Sequence, residues 1–450
     1  MLDVNLFRGP EKGGNPDLIR ESQRRRYADV SLVDKVIDLD KQWRDAVFKM
    51  ERLKTEFNAL NKEIGVKRKA KQETTELQEK SKGLKAAIVA AEEDVKAAET
   101  VRDKTIMLLG NLVPDSVPVS NDEIDNVVVK TYGQRREEDG LRNHVDLVQM
   151  LDIVDLEAGT MVAGGRGFYL KEEGLLLNQA IIQAALHHGY ARKCKPVMTP
   201  FFMRQDIMAE CAQLEQFDEE LYKVTGEGDD KYLIATSEQP LCAMHRKQWF
   251  EESQLPLKYI GYSTCFRKEA GSHGRDTLGI FRIHQFEKVE QFFVTSPDND
   301  ASWAALEEML TNAEDFYQAL EVPYQVVNIV SGELNNAAAK KYDLEAWFPA
   351  SKKYRELVSC SNCTDYQARR LEVRLRTPKV PGSDLNRKEY VHMLNCTLSA
   401  TERTLCCLLE NYQTPDGVRV PALLQPFMPG NMDFIPFRKA FDARGKLVPI

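Results

Sequence analysis

FRKEAGSHGRDTLGIFRIHQFEKVEQF, residues 266–292, sets a strand, a loop with three glycines and a return strand in succession. Arg267 and Glu269 alternate with Phe266 and Lys268, and Phe286, Lys288 and Glu290 share one parity, so a hairpin directs each alternate set to one face. Such a face can hold a nucleotide and a small zwitterion together. Arg267 offers a planar fork suited to a carboxylate and a phosphate oxygen, Phe286 a platform for a purine, and Glu290 an acceptor for a hydroxyl or an ammonium. A charged surface hairpin with a solvated loop fits the same residues, because charge and glycine are common in loops.

Around this hairpin, short alternating segments (232–235, 259–266, 290–295 and 324–330) mix with helical stretches such as 302–320. Hairpin connections outnumber strand–helix–strand units, which predicts an α+β fold: an antiparallel sheet flanked by helices. No Walker loop is present. Gly164, Gly165 and Gly167 lack the spacing and following acid of a dinucleotide fingerprint. Residues 175–189 read as a helix with an apolar face (Leu176, Ala180, Ile181, Ala184, Ala185), followed by a strand ending at Pro200; the pattern suits burial within one chain or an interface between two.

Residues 36–110 differ from the rest. Trp43, Met50, Leu53, Phe57, Leu60 and Ile64, then Leu77, Leu84, Ile88, Ala91, Val95, Ala98, Thr105 and Leu109, recur at steps of three and four or their multiples. This predicts two long helices reversing at 69–75, a polar break ending in the poor helix formers Thr74 and Thr75. At 1.5 Å per residue, ~35 residues per helix give an antiparallel coiled-coil arm ~50 Å long. Its tip carries Lys62, Lys67, Arg68, Lys69, Lys71, Lys80, Lys82 and Lys85 against fewer acids. That charge suits phosphate contacts, or a solvated helix face, or pairing with another arm. The stretch NLVPDSVPVSNDE then marks a linker, dividing an N-terminal domain, 1–115, from a second domain, 116–450.

The net charge of −8 confines any nucleic-acid contact to a local patch. No apolar run approaches the ~20 residues of a membrane span, and the amino terminus resembles neither a signal nor a transit peptide. Cytosol is the expected compartment, and no long basic tail after Phe437 suggests a nuclear address. The nine cysteines form no paired framework. Cys360 and Cys363 make a lone CxxC without a second pair at zinc spacing, Cys406 and Cys407 suit core packing, and Cys211 and Cys242 flank the Thr236 loop closely enough to bridge.

The hairpin's wording, with AGS, GRDT and FRIHQFEKVE in order, resembles motif 2 of the class II aminoacyl-tRNA synthetases, and within them the seryl-tRNA synthetases of the eukaryotic cytosolic type. LNCTLSATERTLCCLLENYQ, 394–413, resembles motif 3, and residues 174–200 resemble motif 1. MLDVNLFR at the start and the Thr236-Ser237-Glu238 triplet fit as well, so the resemblance spans essentially the whole chain. It implies a class II catalytic domain behind a tRNA-binding arm. The activity it implies is formation of seryl-adenylate from L-serine and ATP, then transfer of serine to tRNA(Ser) and tRNA(Sec). By this resemblance Arg267 bridges the serine carboxylate and the α-phosphate, and Arg403 takes the γ-phosphate. Lys268, Glu269, Ile283, His284, Gln285 and Phe286 surround ATP, with Phe286 stacking on adenine and Arg282 a further phosphate candidate. Glu356 and Ser359, in Glu356-Leu357-Val358-Ser359, hold Mg2+. The catalytic set is Arg267, Arg403 and Glu356.

Serine recognition falls to Thr236, Ser237, Glu238, Arg267, Glu290, Asn395 and Thr397, with Glu238 on the α-ammonium and buried hydrogen-bonding groups on the hydroxyl, since these reject alanine strongly. The family often has Ala where Ser237 stands. The basic arm tip implies a grip on the long variable arm of the tRNA, read by shape. Arg275, in the glycine loop, implies a role at the tRNA end in transfer; His273 and the other histidines are expected to be structural. Motif 1 implies a homodimer with each arm serving the partner's site. Two other readings are a noncatalytic RNA-binding scaffold on the same fold, which would have lost a pocket charge, and a class II enzyme for another small amino acid, against which the triplet, the hairpin and the arm all speak.

Overall fold

The computed structural model describes residues 1–212, 220–226, 228–269, 278–376 and 389–450. The chain divides into two compact units, Met1–Val113 and Pro114–Ile450.

In the first unit, helix α1 (Ser31–Lys69) and helix α2 (Thr75–Ile106) form an antiparallel pair. Lys71, at φ 59°, turns the chain between them. Leu60 and Ile64 of α1 and Ile88 and Ala91 of α2 are buried in the seam, while Leu84, Val95 and Ala98 are half-buried. The seam is therefore narrow, as expected where two helices have only each other to pack on. Near the N-terminal end of α1 the contact is polar: Asp40, 1% exposed, lies 3.0 Å from Arg8 and from Arg44 and 3.6 Å from Arg102, and Arg102 stacks on Trp43 at 4.4 Å.

The second unit is built on an eight-stranded sheet. Its strands are β1 (Val127–Tyr132), β2 (Lys195–Met198), β3 (Leu257–Phe266), β4 (Gln285–Thr295), β5 (Tyr324–Asn328), β6 (Lys340–Phe348), β7 (Lys353–Asn362) and β8 (His392–Ala400), in the order β1-β5-β6-β7-β8-β4-β3-β2. Every neighbouring pair is antiparallel except β2 with β3. This is the α+β arrangement expected from the hairpin-rich sequence. Helices α3 (Glu172–Ala191), α4 (Ala301–Ala319) and α5 (Thr401–Tyr412) pack on the sheet through one apolar core that includes Ile181, Ala185, Met309, Phe316, Leu405 and Leu408.

Two register shifts prepare the site. Between β4 and β8, Val289 faces Ser399 but Glu290 faces Thr397; between β6 and β7, Leu344 faces Val358 but Glu345 faces Glu356. Each shift skips one residue of the partner strand and re-aims the side chains beside it, as bulges do.

Candidate active site

Strand alternation sends Phe286, Lys288 and Glu290 of β4 to the same side. Phe286 and Lys288 line a cleft with Arg267, Glu269, Phe281, Arg282, Ile283, Glu356, Leu357, Thr397, Ala400, Glu402 and Arg403. Arg267 follows the end of β3. Its main-chain N–H donates to His284 O at 2.9 Å and its Nε to Ala235 O at 3.3 Å, and its guanidinium lies 5.3 Å from the Phe286 ring centre. Arg403, on the first turn of α5, stacks on Phe281 at 5.0 Å, donates to Glu356 O at 3.3 Å and sits 3.7 Å from Glu356 Oε2. Arg282 lies 3.8 Å from Glu269. Two guanidinium groups, each against an aromatic ring, thus line one cleft, an arrangement that suits a polyphosphate with an attached purine.

The Glu356 side chain is 47% exposed. The crowding of protein around it disfavours its charge even though the carboxylate itself reaches solvent, but Arg403, then Lys341 and Arg267, outweigh that and hold it below the usual carboxylate range. An ionised carboxylate open to the cleft, with the half-buried Ser359 three residues on, fits a hard divalent cation that keeps part of its water shell. Ser359 faces Asp343 across β6.

A second recess adjoins the first and shares Arg267. It is lined by Thr236, Glu238, Gln239, Asn335, Tyr366 and Gln367, among others. Glu290, 2% exposed, accepts from Thr236 Oγ1 at 2.6 Å and Ser237 Oγ at 3.4 Å, and pairs with Lys288 Nζ at 2.9 Å. Lys288 Nζ also donates to Thr236 Oγ1 at 3.2 Å. Gln367 donates to Glu238 at 2.7 Å. Burial, with the charge of Glu290 adding to it, pushes the Glu238 carboxyl up to about 7. Thr397 lies beside Glu290 because β8 skips Leu398 in its pairing with β4, and Asn395, also buried, points its amide at Cys363 Sγ, 3.7 Å away. Thr236 therefore contacts Glu290 here rather than Glu238's carboxyl.

Arg267, Glu269, Ile283, Phe286, Glu356, Leu357, Thr397 and Arg403 meet at the first cleft, and Thr236, Glu238 and Arg267 at the second. Other residues named from sequence lie elsewhere. His284 and Gln285 line a separate cavity with Arg166, Phe168 and Tyr222: Gln285, the first residue of β4, has the parity opposite to that of Phe286, and His284 precedes the strand; the His284 ring nitrogen Nδ1 lies 2.9 Å from Arg267 O. Val358 is fully buried in the core, so only its backbone faces the β6 ladder. Lys268 donates its main-chain N–H to Glu220 O and does not line the cleft. Arg275 and His273 fall outside the described residues.

At the arm tip Lys62, Arg68, Lys69, Lys71, Lys80, Lys82 and Lys85 are exposed and Lys67 is half-buried; Lys67 faces Glu63 at 2.9 Å and Lys80 faces Glu56 at 3.5 Å. Cys360 sits opposite Cys396 between core strands. Cys406 and Cys407 are buried in the core cluster. Cys211 and Cys242 are free, buried thiols, near enough that Cys211, after burial itself, helps push Cys242 above the usual thiol range.

The sequence gives no role to Lys288, Gln367 or Glu402, all of which the fold brings to the site. Only Lys288 had a signal, its shared parity with Phe286 and Glu290. Gln367 and Glu402 come from distant helices.

Residues 1–113 match the seryl-tRNA synthetase N-terminal domain, and residues 222–412 match the class II tRNA synthetase core domain shared by the G, H, P, S and T enzymes. The serine–tRNA ligase of Helianthus annuus is 60% identical over 98% of this chain and 99% of its own length; the cytoplasmic serine–tRNA ligase of Arabidopsis thaliana is 57% identical over 99% of each. Among solved structures, the cytoplasmic serine–tRNA ligase of Naegleria fowleri in complex with AMP superposes with a TM-score of 0.86 at 52% identity, covering 97% of this chain and 99% of its own. The seryl-tRNA synthetase of Pyrococcus horikoshii complexed with ATP gives 0.87 at 38% identity, covering 97% and 100%. On the strength of these full-length likenesses, with the sheet and cleft described above, the chain belongs to the seryl-tRNA synthetase family of class II aminoacyl-tRNA synthetases.

Proposed function

We propose that this protein is a serine–tRNA ligase: it activates L-serine with ATP to seryl-adenylate and transfers serine to the 3′ end of tRNA(Ser), and of tRNA(Sec). The observation that carries the reading is the position of Arg267, which borders both the ring-walled cleft and the carboxylate-lined recess. A guanidinium there brings a carboxylate and an α-phosphate, two anions that repel each other, within reaction distance.

The serine carboxylate is already a nucleophile at neutral pH and attacks the α-phosphorus as pyrophosphate leaves. Positioning and charge neutralisation then supply the rate, with no general base required. Arg267 spans the reacting anions, Phe286 packs on the adenine, and Arg403, fixed on Phe281, holds the far end of the triphosphate. Glu356 and Ser359 would hold magnesium, which supplies further charge neutralisation on the phosphates. Glu238 takes the α-ammonium in its charged state, and Glu290, ordered by Thr236 and Lys288, accepts from the serine hydroxyl with Asn395 and Thr397 nearby. Alanine would leave these buried groups unpaired, a far larger loss than a missing methylene.

Residues 1–115 form the tRNA-binding domain and 116–450 the catalytic domain, the basic arm tip engaging the tRNA backbone. The protein acts in the cytosol as a homodimer. Supporting the dimer, α3 keeps Leu175, Leu176 and Tyr190 exposed along one side, and β2 and the residues beside it expose Met198 and Phe202; an apolar stripe of this kind is what a partner covers. Pyrophosphate exchange measured with each amino acid in turn tests the reading. Serine-dependent exchange alone is expected, and exchange with another amino acid, or with none, contradicts it.

A further inference from the structure

Behind Phe286, on the opposite face of β4, Glu287 is held from three elements. Tyr262 of β3 donates its hydroxyl to Glu287 Oε1 at 2.6 Å, and Asn178 of α3, 1% exposed, donates its amide to Oε2 at 2.6 Å. The main-chain N–H of Glu287 donates to both carboxyl oxygens of Glu402, at 2.9 and 3.2 Å. Thr401 completes the group, its hydroxyl 3.1 Å from Glu402 Oε2 and 3.4 Å from Glu287 O. Sheet topology explains why a side chain is needed. The pairing of β4 with β8 stops at Lys288 opposite Ala400, where β8 gives way to α5, so the next N–H along β4 has no strand carbonyl on that side. A buried donor left so is costly. Glu402, two residues beyond the end of β8, extends the ladder by one rung.

We propose that Glu402 and Asn178 are positioning residues that clamp Glu287 and thereby fix the Phe286 ring against the purine of ATP. The inference rests on the reading of Phe286 as the purine platform. Phe286 lies two residues past the last β4–β8 rung and is paired on the β3 side alone, with Cys265, and its neighbour is the residue clamped. Glu290, by contrast, lies inside the ladder, paired with Gly261 on one side and Thr397 on the other, so the serine recess does not depend on the clamp. Burial, reinforced by the Glu287 carboxylate, pushes Glu402 up to about 8. It therefore serves as a neutral acceptor at neutral pH, and glutamine is its isostere.

Serine-dependent pyrophosphate exchange with the full chain, varying ATP and serine separately, tests this. Glu402→Ala is expected to raise KM for ATP roughly tenfold and leave KM for serine within about twofold. Glu402→Gln, whose amide oxygen still accepts from Glu287, is expected to stay within about threefold of the parent on both, and Asn178→Ala to raise KM for ATP about threefold. A folded Glu402→Ala with unchanged KM for ATP, equal losses for both substrates, or a glutamine variant as damaged as the alanine variant overturns the clamp. Should Glu402→Ala not fold, Asn178→Ala and Tyr262→Phe decide, and no selective rise in either overturns it as well. Phe286→Ala separates the two layers: if it leaves KM for ATP unchanged, the purine platform falls and the clamp's purpose with it, whereas a large rise there with silent clamp variants rejects the clamp alone.

Discussion

Lys288 Nζ lies 2.9 Å from Glu290 Oε2, and both side chains are more than nine-tenths buried. The carboxylate proposed to accept from the serine hydroxyl thus has its counter-charge inside the protein, on the residue two positions back along β4. Breaking a buried pair by removing one partner costs far more than the pair contributes, because the remaining charge is stranded. Lys288→Met is expected to lower kcat/KM for serine by roughly a hundredfold or more, at about 3 kcal/mol for the stranded carboxylate, with Lys288→Arg intermediate. Exchange assays with serine and alanine side by side check it; an unchanged serine-to-alanine ratio would place Lys288 outside specificity.

Arg403 and Glu356 form the other decisive pair, 3.7 Å apart in the wall of the first cleft. Stacking on Phe281 fixes Arg403, so in the role proposed for it the guanidinium meets the triphosphate already oriented. Arg403→Ala is expected to lower kcat/KM for ATP by roughly 10²–10³-fold, the scale of one preorganised donor. Glu356→Gln is expected to raise the magnesium concentration for half-maximal exchange, read from magnesium titrations of parent and variant.

In the first unit, Asp40 gathers Arg8, Arg44 and Arg102. Burial acts against its charge, yet hydrogen bonds and charge from Arg8 and then Arg44 leave its carboxyl below the ordinary range. With the folded value depressed, the stability it contributes is present above the unfolded carboxylate pKa and is lost as pH falls through the folded one. Asp40→Ala is expected to destabilise the helical pair by about 3 kcal/mol, measured by urea unfolding followed by helix-sensitive circular dichroism, and to flatten the acid limb of stability.

How much of this was legible in the chain can be judged residue by residue. Strand parity alone puts Phe286, Lys288 and Glu290 on one face, and the steps of three and four through Leu60, Ile64, Ile88 and Ala91 mark the helical seam, because both signals are local and periodic. The register shifts that bring Thr397 beside Glu290 and Glu356 opposite Glu345 leave no such trace, since a bulge depends on two strands at once. Alternation from Phe286 does send Gln285 to the other face, whereas His284, which has Phe286's parity but precedes β4, lines that other cavity with it, because alternation does not reach beyond the strand. Glu402 illustrates the same limit. In sequence it is an acid beside Arg403; only the point at which β8 ends makes it a partner of Glu287.

The arm tip sorts into paired and unpaired charge. Lys67 and Lys80 face Glu63 and Glu56, so a phosphate must displace a carboxylate to reach them, whereas Lys69, Lys71, Lys82 and Lys85 are open to solvent. Each lost phosphate contact reduces the salt dependence of binding by about 0.9 in logarithmic slope for a duplex. Lys69→Ala with Lys71→Ala is expected to weaken tRNA(Ser) binding and flatten its salt slope more than Lys67→Ala with Lys80→Ala does. Filter binding over a range of salt concentrations checks this, and equal effects of the two pairs would contradict it.

Glu238 gives the site a pH dependence of definite sign. Its carboxyl is pushed up to about 7, by burial first and by Glu290 second, yet in the role proposed for it, holding the serine ammonium, it must be charged. Between pH 6 and 8 its ionised fraction rises roughly tenfold, so KM for serine is expected to fall by about that factor over the same range. Stability of the free protein runs the other way. A carboxyl whose folded pKa is raised contributes stability that is complete at low pH and is lost as pH climbs through about 7, so the melting temperature without ligand should decline where serine binding improves. Serine supplies the missing cation and should restore it. Glu238→Gln removes the titration, and both pH profiles are expected to flatten together. If the variant kept the parent's KM profile, the ammonium would be held by another group, and Gln367, already 2.7 Å from Glu238, could not be that group because an amide does not titrate.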